Sequence, residues 1–382
     1  MTDHLPPTPP RPPLPWQQGD APAAASSPAA PQPPAAQPDP APQQEVPQQG
    51  APQPGPAAAP RQAGLDPEAE RLRQAVGRVR TEVGKAVVGQ DGAVSGLLIA
   101  LLARGHVLIE GVPGVAKTLM VRAFSRALGL DTKRVQFTPD LMPGDVSGSL
   151  VYDARSGEFE FREGPVFTHV LLADEINRTP PKTQSALLEA MEERQVSADG
   201  VSRALPEPFL VAATQNPIEQ EGTYTLPEAQ LDRFLLKLRV DVPGRDAEVD
   251  VLRRHAAGFS PRELSEVAAA VTPDEILEAQ RSVDGVDATD DVLAYIVDLA
   301  RATRQAASVQ VGASPRAATA LLAAAKAWAW LSGYPAVTPD HVQAMLTPVW
   351  RHRIQLRPDA EIEGVSVDSV LTSVVRQTAV PR

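Results

Sequence analysis

The sequence predicts an α/β domain with a parallel sheet, followed by an all-helical domain. Short apolar strands such as "HVLIEG", "THVLLADE" and "PFLVAATQNP" alternate with helical patterns. This alternation is typical of a parallel sheet that helices cover on both faces. After "VDVPGR" the apolar residues recur only with helical spacing. We therefore expect an α/β domain over residues 65–242 and a helical domain over residues 243–382.

Residues 1–64 follow neither pattern. Half of the 40 prolines lie in the first 60 residues, and that stretch has almost no aliphatic side chains larger than alanine. It cannot bury enough apolar area to offset the entropy lost on ordering, so we expect residues 1–64 to be disordered. The stretch "PPTPPRPPLP" also fits a polyproline II ligand for an aromatic groove, although a solubilising linker is the simpler interpretation.

Composition argues against several classes of function. The net charge is −11, and residues 1–64 account for −2 of it, so the remainder is acidic and lacks the basic surface of a general nucleic-acid binder. The chain has no cysteine, which rules out disulfides and thiolate nucleophiles. No apolar run reaches the ~18 residues of a membrane span, and the N-terminus lacks a signal pattern. We expect a cytoplasmic protein without a membrane span.

Two helices are predicted before the first strand. "EAERLRQAVGRVRTEVGKAVVGQ" has amphipathic spacing and should end near Gly84 or Gly89, and "GAVSGLLIALLARG" is expected to be a buried helix that stops at Gly105. The strand "HVLIEG" then leads through a glycine-bearing turn into the helix "KTLMVRAFSRALG". A strand, such a turn and a helix form the context of a phosphate-binding loop.

The segment between that helix and "THVLLADE" interrupts the α/β alternation. Within it, "GEFEFREG" alternates apolar and charged residues as a hairpin strand does, so we expect an insertion in the α/β layer. In the helical domain, Thr272 is expected at an N-cap, with Pro273 at the first helical position and Glu275 completing a capping box.

The turn "GVPGVAKT" has the composition of a phosphate-binding loop, although a tight glycine-rich turn is the alternative. Gly111 and Gly114 free the backbone so that N–H groups point at phosphate oxygens, and the next helix adds its dipole. Lys117 supplies charge for the β- and γ-phosphates, and Thr118 offers a hydroxyl to Mg²⁺. Ala116 stands where the pattern has glycine, which costs ~1–2 kcal/mol if that position needs a positive φ. The expected loop residues are Gly111, Val112, Pro113, Gly114, Val115, Ala116, Lys117 and Thr118.

Two acids follow the apolar run "VLLADE". A buried strand that ends in Asp174 delivers a carboxylate to the edge of the sheet where ligands bind. Asp174 would hold the Mg²⁺ shell, mostly through water, because Mg²⁺ dehydrates reluctantly. Glu175 would polarise the attacking water as a general base. The alternative is a strand that runs out into a solvated acidic turn.

Three further polar residues are candidates. Asn216 ends the strand "PFLVAATQNP" and would bind the γ-phosphate or orient the water, unless it only starts a turn before Pro217. Arg233 in "LPEAQLDRF" is a candidate arginine finger, and an ordinary surface arginine is the alternative. Arg316 would lie in the first turn of a helix, where the dipole disfavours a cation, so it needs an anionic partner. That partner is either a nucleotide phosphate or a nearby carboxylate.

Together these motifs resemble those of AAA+ ATPases, in the order Walker A, Walker B, sensor 1, arginine finger and sensor 2. More narrowly, roughly residues 70–382 resemble the MoxR family, whereas the proline-rich segment does not. The resemblance rests on "VVGQ", "GVPGVAKT", "QFTPDLMPGDVSG", "FEFREGPVF", "LLADEINRTPPKTQSALLEAMEE", "ATQNPIEQEGTYTLPEAQLDRFL", "GASPRA" and "RHRIQL".

The resemblance implies more than the residues alone do. It implies a P-loop NTPase core with a helix-2 insert facing a central pore, a helical lid domain, and ATP and Mg²⁺ as cofactors. Val88, Gly89 and Gln90 would lie near the adenine. The family implies a hexameric, chaperone-like ATPase whose partners often carry a von Willebrand factor A domain. Arg233 would then act on the nucleotide of a neighbouring subunit.

Two other classes of function remain open from the sequence. A nucleic-acid-stimulated motor is one, because relatives with the same insert include helicases, but the acidic composition disfavours it. A scaffold that binds nucleotide without hydrolysing it is the other. The presence of Glu175, Asn216 and both arginines, Arg233 and Arg316, favours turnover instead.

Overall fold

A computed structural model describes residues 66–198, 200–216, 224–261 and 263–381, which all belong to one compact unit. The expected disordered segment, residues 1–64, lies outside these ranges. Within them the helices are α1 (Pro67–Ala86), α2 (Asp91–Leu102), α3 (Lys117–Ala127), α4 (Pro143–Ser147), α5 (Pro181–Glu193), α6 (Glu228–Leu231), α7 (Arg245–Ala256), α8 (Pro273–Asp284), α9 (Asp290–Gln305), α10 (Pro315–Leu331), α11 (Pro339–Trp350), α12 (Pro358–Ile362) and α13 (Val367–Gln377). The strands are β1 (Val107–Gly111), β2 (Thr132–Gln136), β3 (Gly148–Asp153), β4 (Glu158–Glu163), β5 (Val170–Asp174), β6 (Gln195–Ala198), β7 (Val201–Ala204), β8 (Leu210–Gln215), β9 (Leu236–Val240), β10 (Val309–Val311) and β11 (Gln355–Leu356).

A five-stranded sheet forms the centre of the α/β layer. Its order is β2-β5-β8-β1-β9, and every neighbouring pair is parallel. The inner strand β5 is buried along its whole length, with Val170 and Leu172 in one hydrophobic core and Leu171 and Ala173 in the other. Burial on both faces explains why the inner strands are continuous apolar runs. The predicted α/β class with helices on both faces is confirmed.

The carboxyl ends of several strands meet at one edge of the sheet. Gln136 at the end of β2 pairs in register with Asp174 at the end of β5. Glu110, one residue before the end of β1, pairs with Gln215 at the end of β8. The turns after these strands therefore lie side by side, and this edge carries the candidate site.

Two antiparallel hairpins extend from the layer. Strands β3 and β4 pair between α4 and β5, which confirms the predicted insertion. Their exposed faces carry aromatic side chains, with Tyr152 56% and Phe159 68% exposed. The second hairpin, β6–β7, was not predicted. The dipeptide Asp199–Gly200 between its strands is a hairpin signal that could have identified it.

Helices α7 to α13 lie in the predicted helical part of the chain, residues 243–382, which also contains the short antiparallel pair β10–β11. The capping box at α8 is confirmed, because Thr272 Oγ1 accepts from the Glu275 backbone N–H at 3.3 Å and Glu275 accepts from the Thr272 N–H at 3.0 Å. The boundary that we propose between the domains, residues 242 and 243, falls between β9 and α7. Within the described ranges, none of the helices combines the length and the apolar character that crossing a membrane requires.

Candidate active site

A cavity of about 960 Å³ opens at the carboxyl edge of the sheet. It is bounded by the turn after β1, the ends of β5 and β8, the connection between α1 and α2, and residues of α7. Most of the predicted site residues line it. These are Val88, Gln90, Pro113, Gly114, Val115, Ala116, Lys117, Thr118, Asp174, Glu175 and Asn216.

The turn after β1 has the positive φ at Ala116 for which the sequence predicts backbone strain. Gly114 has φ 89° and Ala116 has φ 60°, so the non-glycine residue in the loop does adopt the left-handed conformation. Gly111 does not line the cavity, but a Cβ there would lie 2.4 Å from the carbonyl oxygen of Val240, so glycine is required by the close approach of β9. The Lys117 ammonium donates to the carbonyl oxygens of Gly111 and Val112.

Asp174 is buried, and both oxygens of its carboxylate accept hydrogen bonds. Its Oδ1 accepts a hydrogen bond from Thr214 Oγ1 on β8. Its Oδ2 accepts from Thr118 Oγ1 at 3.2 Å and from the Arg134 guanidinium at 2.8 and 3.1 Å. One carboxylate and one hydroxyl at the mouth of a phosphate loop are hard oxygen donors, so the residues present suit Mg²⁺ held partly through water.

Glu175 follows Asp174 with φ 58°, which turns the chain so that its side chain reaches the cavity. Its backbone N–H donates to Thr214 Oγ1 at 2.9 Å. Its carboxylate accepts from Gln136 Nε2 at 2.7 Å and lies 3.2 Å from Arg178 Nε. A carboxylate held by donors at the edge of a cavity is suited to take a proton from bound water.

A second wall of the cavity is formed by the connection between α1 and α2 and by α7. Val88 and Gln90 line it, and Gln90 Nε2 donates to the Asp241 carbonyl oxygen at 3.0 Å. Gly89 does not line the cavity, and it has φ 74°. Side chains of α7 and the segment after it, including Leu252 and Phe259, complete this wall. Apolar walls with a few fixed polar groups suit a planar ring.

The two predicted arginines lie outside this cavity and close to each other. Arg233 Nε donates to Glu192 Oε2 at 2.8 Å. Arg316 donates to the other oxygen of the same carboxylate at 3.3 Å and lies 3.2 Å from Asp232 Oδ2. Within one chain both arginines therefore have carboxylate partners. For Arg316 this is the alternative that the sequence left open.

Sequence reasoning missed four residues of the site. Arg134 and Gln136 lie on β2, Thr214 lies on β8, and Arg178 follows Glu175 by three residues. Strand β2 is an edge strand with only Val135 buried, so it shows no apolar run. The signal that could have identified it is the spacing of Arg134 and Gln136, which places both side chains on one face of a strand.

Comparison with known proteins gives consistent results. Residues 106–236 match the family described as "ATPase family associated with various cellular activities (AAA)", and residues 301–374 match the "AAA lid domain". Chaperone MoxR1 of Mycobacterium tuberculosis is 42% identical over 84% of this chain and 85% of its own length. Protein YeaC of Bacillus subtilis is 46% identical over 82% of this chain and 97% of its own length.

Two further proteins resemble the chain. Protein MoxR of Methylorubrum extorquens is 35% identical over 80% of this chain and 95% of its own length. A crystal structure from Cytophaga hutchinsonii, whose protein is assigned as an ATPase, superposes with a TM-score of 0.76 at 39% identity and covers 82% of this chain and 97% of that one. The likeness therefore extends over the α/β layer and the helical part together.

Proposed function

This chain belongs to the MoxR family of AAA+ ATPases, and from that premise we propose that it hydrolyses ATP to ADP and phosphate in the cavity described above. The observation that carries the proposal is the meeting of three elements at one sheet edge. The loop with Lys117, the buried Asp174 and the donor-held Glu175 all line the same cavity.

The phosphate loop binds the triphosphate. Its N–H groups and the N-terminus of α3 face the β- and γ-phosphates, and positive φ at Gly114 and Ala116 gives the loop its concave shape. Lys117 exchanges its carbonyl partners for phosphate oxygens. Val88 and Gln90 bind at the adenine end, with Gly89 between them providing the turn.

The metal site consists of Thr118 and Asp174. Thr118 would hold Mg²⁺ through its hydroxyl oxygen, and Asp174 would hold it largely through water. The ion would supply positive charge to neutralise the β- and γ-phosphates. Thr214 keeps the carboxylate of Asp174 oriented by donating to its other oxygen.

Glu175 is the general base of the proposed reaction. It accepts the proton of the water that attacks the γ-phosphorus, while Gln136 and Arg178 hold its carboxylate in place. Asn216, which is buried at the end of β8, orients the water or the γ-phosphate. Gln136, Glu175 and Asn216 lie at or directly after the ends of the neighbouring strands β2, β5 and β8, so the sheet fixes their relative positions.

Arg233 and Arg316 act on the nucleotide of a neighbouring subunit in a ring, which we propose to be a hexamer. Neither lines the cavity of its own chain, and both lie at one surface site around Glu192. On assembly the γ-phosphate of the neighbour replaces Glu192 as their anionic partner. This exchange stabilises the charge that develops on the transferring phosphoryl group.

The work done by hydrolysis is the remodelling or maturation of client proteins, and a protein with a von Willebrand factor A domain is the proposed partner. A relative named as a chaperone supports the client role. The β3–β4 hairpin supports it too, because Tyr152 and Phe159 expose apolar surface on a projecting strand pair. A client segment would contact this surface as the ring cycles.

ATP binding tests the site directly. Lys117→Ala should weaken ATP binding to the full chain by about 100-fold or more, because the charge facing the β- and γ-phosphates is lost. Lys133→Ala is the matched control, since it removes the same charge from an exposed side chain that does not line the cavity. Equal affinity in the Lys117 variant and the wild type, measured by equilibrium dialysis with ATP, would contradict the assignment.

A further inference from the structure

Arg134 is a cationic side chain of the cavity that the mechanism above does not use. It projects from the edge strand β2, lines the cavity and is 51% exposed at its side chain. Its Nε and one terminal nitrogen both donate to Asp174 Oδ2, at 3.1 and 2.8 Å. Asp174, in contrast, is 10% exposed at its side chain. The guanidinium therefore covers the open side of the carboxylate that we assign to Mg²⁺.

The two oxygens of Asp174 are not equivalent. Oδ1 faces β8 and accepts from Thr214, which is itself buried. Oδ2 faces the phosphate loop and accepts from Thr118 and Arg134. Mg²⁺ held by Thr118 and Asp174 would need access to Oδ2, the oxygen to which Thr118 donates. The guanidinium and the ion would then compete for that oxygen, and their like charges would repel each other.

We propose that Arg134 is a cationic placeholder for Mg²⁺ in the nucleotide-free chain. It neutralises the buried Asp174 carboxylate until Mg²⁺ and nucleotide bind, and then it gives up Oδ2 to the water shell of the ion. Arg134 is thus a positioning residue, whose departure is part of metal binding. This inference rests on the proposed function, because it assumes that Mg²⁺ binds with nucleotide at Thr118 and Asp174.

A second contact connects Arg134 to the general base. The same terminal nitrogen that binds Asp174 also donates to Gln136 Oε1 at 2.9 Å, and Gln136 Nε2 donates to Glu175 Oε2 at 2.7 Å. Chemistry fixes the orientation of the Gln136 amide, because its oxygen must face the guanidinium and its nitrogen must face the carboxylate. When the guanidinium moves away from Oδ2, the same nitrogen also moves away from Gln136 Oε1. The hydrogen bond between Gln136 and Glu175 remains. Metal binding at Asp174 is coupled in this way to the residue that holds Glu175.

The test is the Mg²⁺ dependence of nucleotide binding by the full chain. A fluorescent, non-hydrolysable ATP analogue is titrated with Mg²⁺, so that the readout is binding and not turnover. In Arg134→Ala the half-saturating Mg²⁺ concentration should fall by about three- to tenfold, because the ion no longer displaces a partly exposed ion pair. Arg134→Lys keeps the charge but has one nitrogen in place of the two that bind Asp174, so its half-saturating Mg²⁺ concentration should lie between those of Arg134→Ala and wild type.

Lys133→Ala is the matched control. It removes one positive charge from the adjacent residue of the same strand, and its half-saturating Mg²⁺ concentration should stay within about twofold of wild type, since exposed charges are screened. Arg134→Gln serves as a second variant if Arg134→Ala does not fold, and it should shift the Mg²⁺ dependence in the same direction.

Three results would overturn the inference. The first is an Mg²⁺ dependence of the Arg134 variants equal to that of Lys133→Ala. The second is a higher Mg²⁺ requirement, which would mean that Arg134 prepares Asp174 for the ion. The third is weaker analogue binding at saturating Mg²⁺, which would make Arg134 a phosphate ligand. Failure of wild type to bind the analogue at all would instead refute the proposed function.

Discussion

The side-chain amide of Gln136 donates a hydrogen bond to Glu175 Oε2 at 2.7 Å, across neighbouring strands of the central sheet. Gln136 ends the edge strand β2, and Glu175 follows the end of β5. The contact aims the carboxylate at the cavity from the side, while Arg178 approaches the same oxygen at 3.2 Å. The position of the proposed base therefore depends on an edge strand that carries no part of the phosphate loop.

Gln136→Ala should lower the rate of ATP turnover by about tenfold without changing nucleotide affinity by more than about twofold. The substitution removes a donor that holds the Glu175 carboxylate, so the base is less well placed, but nothing in the phosphate loop changes. Steady-state phosphate release and analogue binding measure the two effects separately. Lys133→Ala on the same strand is the control, and an unchanged turnover rate in Gln136→Ala would argue against the positioning role.

Arg233→Ala should lower turnover by ~10³–10⁵-fold in the assembled protein while nucleotide affinity stays close to wild type. Nucleotide affinity should change little because Arg233 does not line the cavity of its own chain and binds Glu192 instead. Because each cavity then needs Arg233 of a neighbouring subunit, the specific activity of wild type should rise as protein concentration increases and rings form.

Mixing two inactive variants tests whether Arg233 acts between subunits. Chains with Arg233→Ala retain Glu175, and chains with Glu175→Gln retain Arg233. In rings assembled at random from equal amounts of the two variants, about one quarter of the interfaces should combine an intact cavity with an intact arginine. Roughly one quarter of the wild-type activity should therefore return. A mixture that stays as inactive as its components would show that the arginine does not act in trans.

Ala116→Gly should leave turnover within a few-fold of wild type. Ala116 has φ 60°, and glycine would relieve ~1–2 kcal/mol of strain but would also increase the entropy of the unfolded chain. These effects oppose each other, so the melting temperature should change little. Ala123→Gly in the middle of α3 is the contrast, and it should destabilise the protein by ~1 kcal/mol. A large gain of activity in Ala116→Gly would mean that alanine impairs the loop.

Stability should fall as the pH decreases from about 6.5 to about 4. Burial lowers the pKa of His106 to about 4 and that of His341 to about 4, whereas the unfolded value is near 6.5. His106 Nδ1 accepts from the Val211 N–H at 3.0 Å, so protonation there would break a buried hydrogen bond. Because the unfolded chain binds more protons in this range, each histidine lowers the free energy of unfolding by about 1.4 kcal/mol per pH unit.

Urea denaturation at a series of pH values measures this dependence. His106→Gln should have a shallower slope than wild type between pH 6.5 and pH 5, since one proton fewer is taken up on unfolding. The same substitution at the exposed His255 is the control. A slope in His106→Gln equal to that of wild type would contradict the contribution of His106.

The parts of the site that the sequence predicted are those whose signals are local. The phosphate loop is a continuous stretch between a strand and a helix, and Asp174 ends a strand that is apolar because both of its faces are buried. The sequence predicts strain at Ala116 if its φ is positive, but the sequence alone does not decide the sign of that angle. The angle depends on how β9 and α3 pack around the loop. The insertion was predictable because charged and apolar residues alternate in "GEFEFREG".

The rest of the site depends on contacts between distant parts of the chain. Arg134 and Gln136 belong to a strand that the sequence does not mark, because an edge strand with one buried residue has no apolar run. The shared partner of Arg233 and Arg316 is Glu192, which is separated from Arg316 by 124 residues. Only the packing of the helical part against the α/β layer brings these charges together.

Glu175→Gln in the assembled full chain tests most sharply whether the cavity hydrolyses ATP with Glu175 as the base. We expect this variant to bind ATP and Mg²⁺ with near wild-type affinity but to release phosphate at least ~100-fold more slowly, because the amide cannot accept the proton of the attacking water. Binding with unchanged phosphate release would remove Glu175 from the role of base. Loss of ATP binding itself would make Glu175 part of the binding site and would contradict the division of roles between Asp174 and Glu175.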